Sequence, residues 1–217
     1  MKLLLAATVL WLAGCAGGPV PPDWQLNAHG ALKNFVAAYL TGNDRLADYE
    51  LARVRSEIAS TGRLDLLARV ELARCAAQVA SLVLDHCAEF QSLAPDAGPQ
   101  ERAYADFLAG RWQGLDSSLL PRQYRALLAG AGEAGVLQAM DDPLARLVAA
   151  GVLLQMGRLS PAGIAVAADA ASGQGWRRPL LAWLGVQARR AQESGDVAEA
   201  ARIRRRIDLA AGAGDSR

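Results

Sequence analysis

The chain of 217 residues has only two histidines, His29 and His86, and only three cysteines, Cys15, Cys75 and Cys87. General acid and base work needs titratable groups set against each other in a cleft, so this inventory gives such chemistry little to build on. His29 falls in the first helical segment beside Gly30 and reads as a surface or boundary residue. Asp85-His86 reads as a turn next to Cys87, with no nucleophile placed nearby. There is no G-x-S-x-G, no P-loop and no H-E-x-x-H. Gly130-x-Gly132-x-x-Gly135 matches a dinucleotide fingerprint as letters. It follows a helical segment where the motif requires a strand, so it reads as an inter-helix loop and no cofactor is expected. Glu71, Glu89 and Asp141-Asp142 read as solvated charges or caps. No enzyme activity is predicted.

Neither sign of charge dominates, with 23 Lys plus Arg against 22 Asp plus Glu. That balance argues against nucleic acid or an anionic surface as the main partner. The chain also lacks any long apolar run beyond its first residues, and any alternating pattern of strand length. What it has is Ala, Leu, Arg and Gln in abundance, with apolar residues recurring at spacings of three and four, which predicts an all-α domain.

The first eighteen residues, MKLLLAATVLWLAGCAGG, combine Lys2, an apolar stretch from Leu3 to Ala13, and small residues before Cys15. Such a segment is a secretory signal too short to span a bilayer. Leu12-Ala13-Gly14-Cys15 resembles the lipobox of bacterial lipoproteins. The resemblance implies removal of residues 1–14 and acylation of Cys15, leaving a membrane partner held through that lipid anchor. Ala16 stands where the family's inner-membrane retention signal has Asp, which implies the outer membrane, facing the periplasm. An ordinary secretory signal with a chance cysteine is the competing reading. Cleavage removes Lys2 and leaves 203 residues with 22 charges of each sign. Residues 15–22, with Gly17, Gly18, Pro19, Pro21 and Pro22, then form a short stiff tether.

Helical signals mark residues 23–211 as the domain and residues 212–217 as a frayed tail. Asp23 is a candidate cap for a first helix ending near Gly42-Asn43. A second runs from about Asp44 to Ser60, and a third from about Arg63 to Leu82. Asp142-Pro143 and Ser160-Pro161 each place a capping residue before a proline suited to the first helical position. Pro179 is read as starting a further helix, and Gly195-Asp196 as separating it from the last. Residues 143–211 then form two helix pairs. Overlaying them sets Gly151 against Gly185, 34 residues on, and Gly157 with Ala162 against Gly195 with Ala200. Together with Trp183, Leu184 and Gly185, this resembles the tetratricopeptide repeat. The expected architecture is antiparallel helix pairs stacked as a short tetratricopeptide-like solenoid, or an irregular helical bundle.

Cys75 and Cys87 remain in the mature chain, and an oxidising periplasm predicts a disulfide between them. Twelve residues of straight helix would span about 18 Å, whereas a disulfide needs Cα atoms within about 7 Å. The chain must therefore reverse somewhere in residues 81–86, although no Gly or Pro marks the place. Two buried free thiols on one long helix are the alternative. Metal binding through Cys75, His86 and Cys87 lacks paired C-x-x-C spacing and a fourth ligand, so no metal is expected.

Arg189, Arg190, Arg202, Arg204, Arg205 and Arg206 concentrate positive charge near the carboxyl end, a candidate partner patch, although charged helix faces are usually just solvated. Trp24, Trp112, Trp176 and Trp183 read as packing residues. The function expected is that of a lipid-anchored, non-catalytic adaptor or accessory subunit of an envelope assembly. Its partner would be an unknown periplasmic or outer-membrane protein, met without nucleic acid or a small-molecule cofactor. A glycan-binding protein or hydrolase of the cell wall is the alternative.

Overall fold

A computed structural model describes residues 21–130 and 132–212. Cys15, the signal segment and residues 213–217 lie outside the described residues. Among those described, the chain is all α: eleven α-helices and three short 3₁₀ turns, with no strand. None of these helices is long and apolar enough to cross a membrane.

Helices α1 (Asp23–Thr41) and α2 (Asp44–Ala59) form an antiparallel hairpin. Asp23 is the first helical residue and Pro22 occupies the cap position, so Asp23 acts on the helix dipole without a capping bond. Gly42 ends α1 because its φ of 82° lies in the left-handed region that a residue with Cβ avoids. The Asn43 side chain then caps α2 by accepting the Leu46 N–H at 3.2 Å. Ala28, Phe35, Leu51, Val54 and Ile58 close a small core against Val70 of α3 (Leu64–Ala80).

Helix α3 is the axis of the molecule, with ten of its seventeen residues buried, so it is covered on more than one side. Past Ala80 the chain reverses as the cysteine spacing demands. The Cα atoms of Cys75 and Cys87 are 5.2 Å apart, and the two residues are disulfide-bonded. The reversal uses three left-handed non-glycine residues, Leu82, His86 and Cys87, with φ of 62°, 56° and 57°. Each costs on the order of 1 kcal/mol, which a covalent closure and an Asp85 carboxylate accepting the Cys87 N–H at 3.0 Å help to offset. A turn built this way carries no sequence punctuation.

Helices α4 (Ala88–Gln91) and α5 (Pro99–Leu108) return along α3. Short turns lead to α6 (Arg125–Leu128) and α7 (Glu133–Gln138). Gly135, expected in a loop from Gly130 to Gly135, sits inside α7, which shortens that loop. Helix α8 (Pro143–Gln155) then packs across α3, followed by α9 (Pro161–Gly173). Asp142 and Ser160 cap these two helices, accepting the N–H groups of Leu144 at 2.9 Å and Gly163 at 3.2 Å. The last hairpin is α10 (Arg177–Glu193) with α11 (Val197–Gly212). Helix α10 begins two residues before Pro179, which sits in its first turn where no intrahelical N–H is required. Helix α11 takes in Gly212, one residue beyond the expected domain edge.

The main core gathers α3, α5, α8 and α9 around Phe107, Leu147, Leu153 and Ile164, and Trp183 reaches into it from α10. The Trp183 indole N–H donates to the Ala80 carbonyl at 3.1 Å, satisfying one of the carbonyls left over at the end of α3. In the first turn of α10, Arg178 Nε donates to the Tyr39 carbonyl at 2.6 Å and Arg178 also pairs with Asp44. Its guanidinium lies 4.3 Å from the Tyr39 ring centroid. The first hairpin is thereby fastened to the last.

Candidate functional site

A groove follows α3. Its α3 wall is the stripe Leu72, Ala73 and Ala76, and α1 contributes Val36. Gln100, Glu101 and Tyr104 of α5 face them, and the segment 118–125 closes the far end. This groove holds about 650 Å³. A second groove of about 370 Å³ lies between α1 and the start of α3, lined by Trp24, His29, Leu32 and Leu66 among others. Arg69 lines both. Ala73 and Ala76 present only short side chains to the α3 groove.

The wall opposite α3 is rigid for identifiable reasons. Arg125 donates from Nε to the Leu120 carbonyl and from Nη2 to the Ser118 carbonyl, each at 2.9 Å, which fixes the otherwise irregular segment 118–125. Behind it runs an aromatic stack. The ring centroids of Tyr104 and Tyr124 are 5.8 Å apart, those of Phe107 and Tyr124 4.6 Å, and those of Phe107 and Trp112 5.3 Å. The Arg158 guanidinium covers the far ring at 5.2 Å.

The polar groups of the groove have structural duties. Arg69 Nε donates to Glu101 Oε1 at 2.7 Å across its mouth. Asp142 caps α8. Burial pushes the Tyr104 hydroxyl up to about 12, against a smaller lowering by its hydrogen bond with Tyr124. Burial raises the Tyr124 hydroxyl well above its ordinary value too. Both phenols stay protonated at any physiological pH and offer a ligand surface and hydrogen bonds rather than a base. His29 is exposed at the edge of the smaller groove, and His86 is exposed in the reversal at residues 81–87, so the two histidines are not brought together.

Glu71, read as a solvated charge, is buried at 4 % exposure. It accepts from Arg55 Nε at 2.7 Å and has Arg74 Nη1 at 3.8 Å, while Arg74 reaches on to Glu89 at 3.2 Å. This chain of charges ties α2, α3 and α4 together and opens onto neither groove. Burial of this carboxylate leaves no mark in sequence, because its closest partner, Arg55, lies on another helix.

The chain matches no family model, no characterised protein and no solved structure.

The six arginines of the expected partner patch are divided by the helices that carry them. Arg189, Arg190, Arg202, Arg204 and Arg205 are exposed and Arg206 is half-buried. Arg202 is bound to Glu199 at 2.6 Å, and that hydrogen bond holds the Glu199 carboxyl below its ordinary value. Ala200 and Ile203 turn α11 toward α10, with Ile207 packed alongside. Arg204 is two residues from both Arg202 and Arg206, a rotation of about 200° that puts it on the other flank. Arg190 shares a separate groove of about 360 Å³ with Asp196 and Glu199. Positive charge there is interleaved with carboxylates and spread around two helices. The α3 groove was missed in sequence because α5 and residues 118–125 reach it only through the fold, and the stripe Leu66, Arg69, Ala73, Ala76 alone looks like an ordinary helix face.

Proposed function

We propose that this protein is an outer-membrane lipoprotein, anchored through Cys15, that acts as a non-catalytic adaptor for a periplasmic or outer-membrane protein and docks it in the groove along α3. The observation that carries the reading is the groove itself. It is a pre-formed cleft with buried Leu72, Leu120 and Tyr124 in its walls and a fixed rim, of the size range in which a few side chains of a partner are enclosed. Its carboxylates Glu101 and Asp142 are engaged in cross-bridging and capping, and Arg125 in loop fixation, which supports binding over chemistry.

The anchor adds a constraint. From Cys15 to Trp24 an extended chain reaches at most about 30 Å, so the smaller groove, which begins at Trp24, stays close to the lipid surface. A partner held there is membrane-embedded or passes near the membrane. The test has two arms in living cells. Cys15→Ser is expected to move the protein to the soluble periplasmic fraction, and continued membrane retention defeats the anchor. A photo-crosslinking residue at Ala73 is expected to capture one reproducible protein that the same residue at Arg204 does not. Capture of glycan fragments in its place defeats the adaptor reading and favours a cell-wall ligand.

A further inference from the structure

We infer that the α3 groove takes an acidic segment of its partner, with apolar side chains seated against Ala73, Ala76 and Tyr104 and carboxylates drawn to Arg69 and Arg122; this rests on the adaptor reading. The α3 groove carries three arginines, Arg69, Arg122 and Arg125, against the two carboxylates Glu101 and Asp142, while Arg63 of the smaller groove is taken up by Asp65 at 2.6 Å. Both carboxylates are already engaged, Glu101 by Arg69 and Asp142 by the first turn of α8. The arginines are not used up in the same way. Arg69 spends only its Nε on Glu101, and 59 % of its side chain is exposed, leaving both terminal nitrogens to a ligand. Arg122 stands exposed at the other end and forms no ion pair among the described residues. Arg125 lines the groove and bonds to neutral carbonyls, so these bonds leave its charge uncancelled.

Such a rim sets the sign of the ligand. Guanidinium groups prefer carboxylates in paired geometry, and a field of one sign over a low-dielectric wall raises the encounter rate with chains of the opposite sign. A lysine-bearing segment would meet like charge at both ends. The balanced total of the chain hides this local excess, because the compensating carboxylates sit elsewhere, Glu50 and Glu71 among them in the interior.

The test uses the full lipidated protein in phosphatidylcholine nanodiscs, with empty discs as background, and reads fluorescence anisotropy. Three labelled twelve-residue probes are compared. One carries leucine and phenylalanine at helical spacing among glutamates, one has every glutamate replaced by lysine, and one keeps the glutamates but has serine for the apolar residues. The first is expected to bind about tenfold or more tightly than either of the others, and to weaken as salt rises. Arg69→Glu with Arg122→Glu should abolish that preference, and Ala73→Trp should block binding by filling the groove at unchanged charge. Arg204→Glu with Arg205→Glu should leave it unchanged. Equal binding of the lysine probe, indifference to the Arg69 and Arg122 reversals, or binding by none of the three overturns the inference. The adaptor reading is tested apart from it: a protein captured from Ala73 whose bound segment is neutral or basic keeps the adaptor and removes the acidic ligand.

Discussion

Helices α8–α9 and α10–α11 are two consecutive antiparallel pairs, yet the structure uses them in opposite ways. Eight of the thirteen residues of α8 are buried, because α3 covers the side that α9 leaves open. In α11 only Ala200 and Ile203 are buried among sixteen residues, and Val197 and Leu209 stand nearly bare. The first pair is an interior layer and the second a terminal one. A helix pair cannot bury both of its faces by itself, so the same local pattern ends in different environments depending on which element arrives later to cover it.

The comparison breaks most severely at Trp183. This side chain, wholly buried, is where the terminal pair enters the core of the interior one. Trp183→Ala is expected to cost about 3–5 kcal/mol, since it opens a cavity and strips the Ala80 carbonyl of its donor. Urea unfolding of the variant measures it. A loss below about 1 kcal/mol would mean that α10 is held by its other contacts and that the terminal pair is not rooted through this residue.

The next largest effect is expected from reducing the Cys75–Cys87 bond. Closing a loop of sequence separation 12 restricts the unfolded chain by about 3 kcal/mol in the entropy model. The bond also holds Leu82, His86 and Cys87 in their left-handed conformations, and Val79 and Ala80, which α8 and α10 both touch, lie just before them. Reduction should therefore loosen the C-terminal turn of α3 first. Hydrogen exchange should rise at residues 79–87 before it rises in α1 and α2. Uniform protection in the reduced protein would show that the bond is not what supports that turn.

Helix existence was legible in sequence wherever punctuation was strong. Asp142-Pro143, Ser160-Pro161, Gly42-Asn43 and Gly195-Asp196 all fall at helix boundaries, because caps and left-handed glycines act within a few residues of themselves. The reversal between the cysteines was legible only through their distance constraint, and its residues were not. Residues 109–120 were silent: Arg125 shapes their far end by bonding to carbonyls five and seven residues back, a contact with no periodicity. The groove was hidden for the same reason, as was the burial of Glu71. Composition records that small residues are present on α3, and only the arrival of α5 and α8 decides which of them become floor and which become core.

Gly151 and Gly185 bring that distinction down to a single hydrogen atom. A 34-residue offset aligns them, and both are interior helical positions. At Gly151 an added Cβ would overlap the Val79 carbonyl and come within 2.9 Å of the Val79 Cγ1, so α8 approaches α3 only because that carbon is absent. At Gly185 nothing lies within 4 Å of the same position. Gly151→Ala is expected to destabilise by about 1–3 kcal/mol through forced separation of two backbones. Gly185→Ala, the smallest change in the series, is expected to stabilise by about 0.5–1 kcal/mol, the ordinary gain of alanine over glycine inside a helix. Paired denaturation curves read both. Opposite signs mean that the glycine of the interior pair is a packing residue and that of the terminal pair is not. Equal signs would mean that the two layers meet their neighbours alike at these positions, and the distinction between interior and terminal pairs would have to rest on the burial of α8 against α11 and on Trp183.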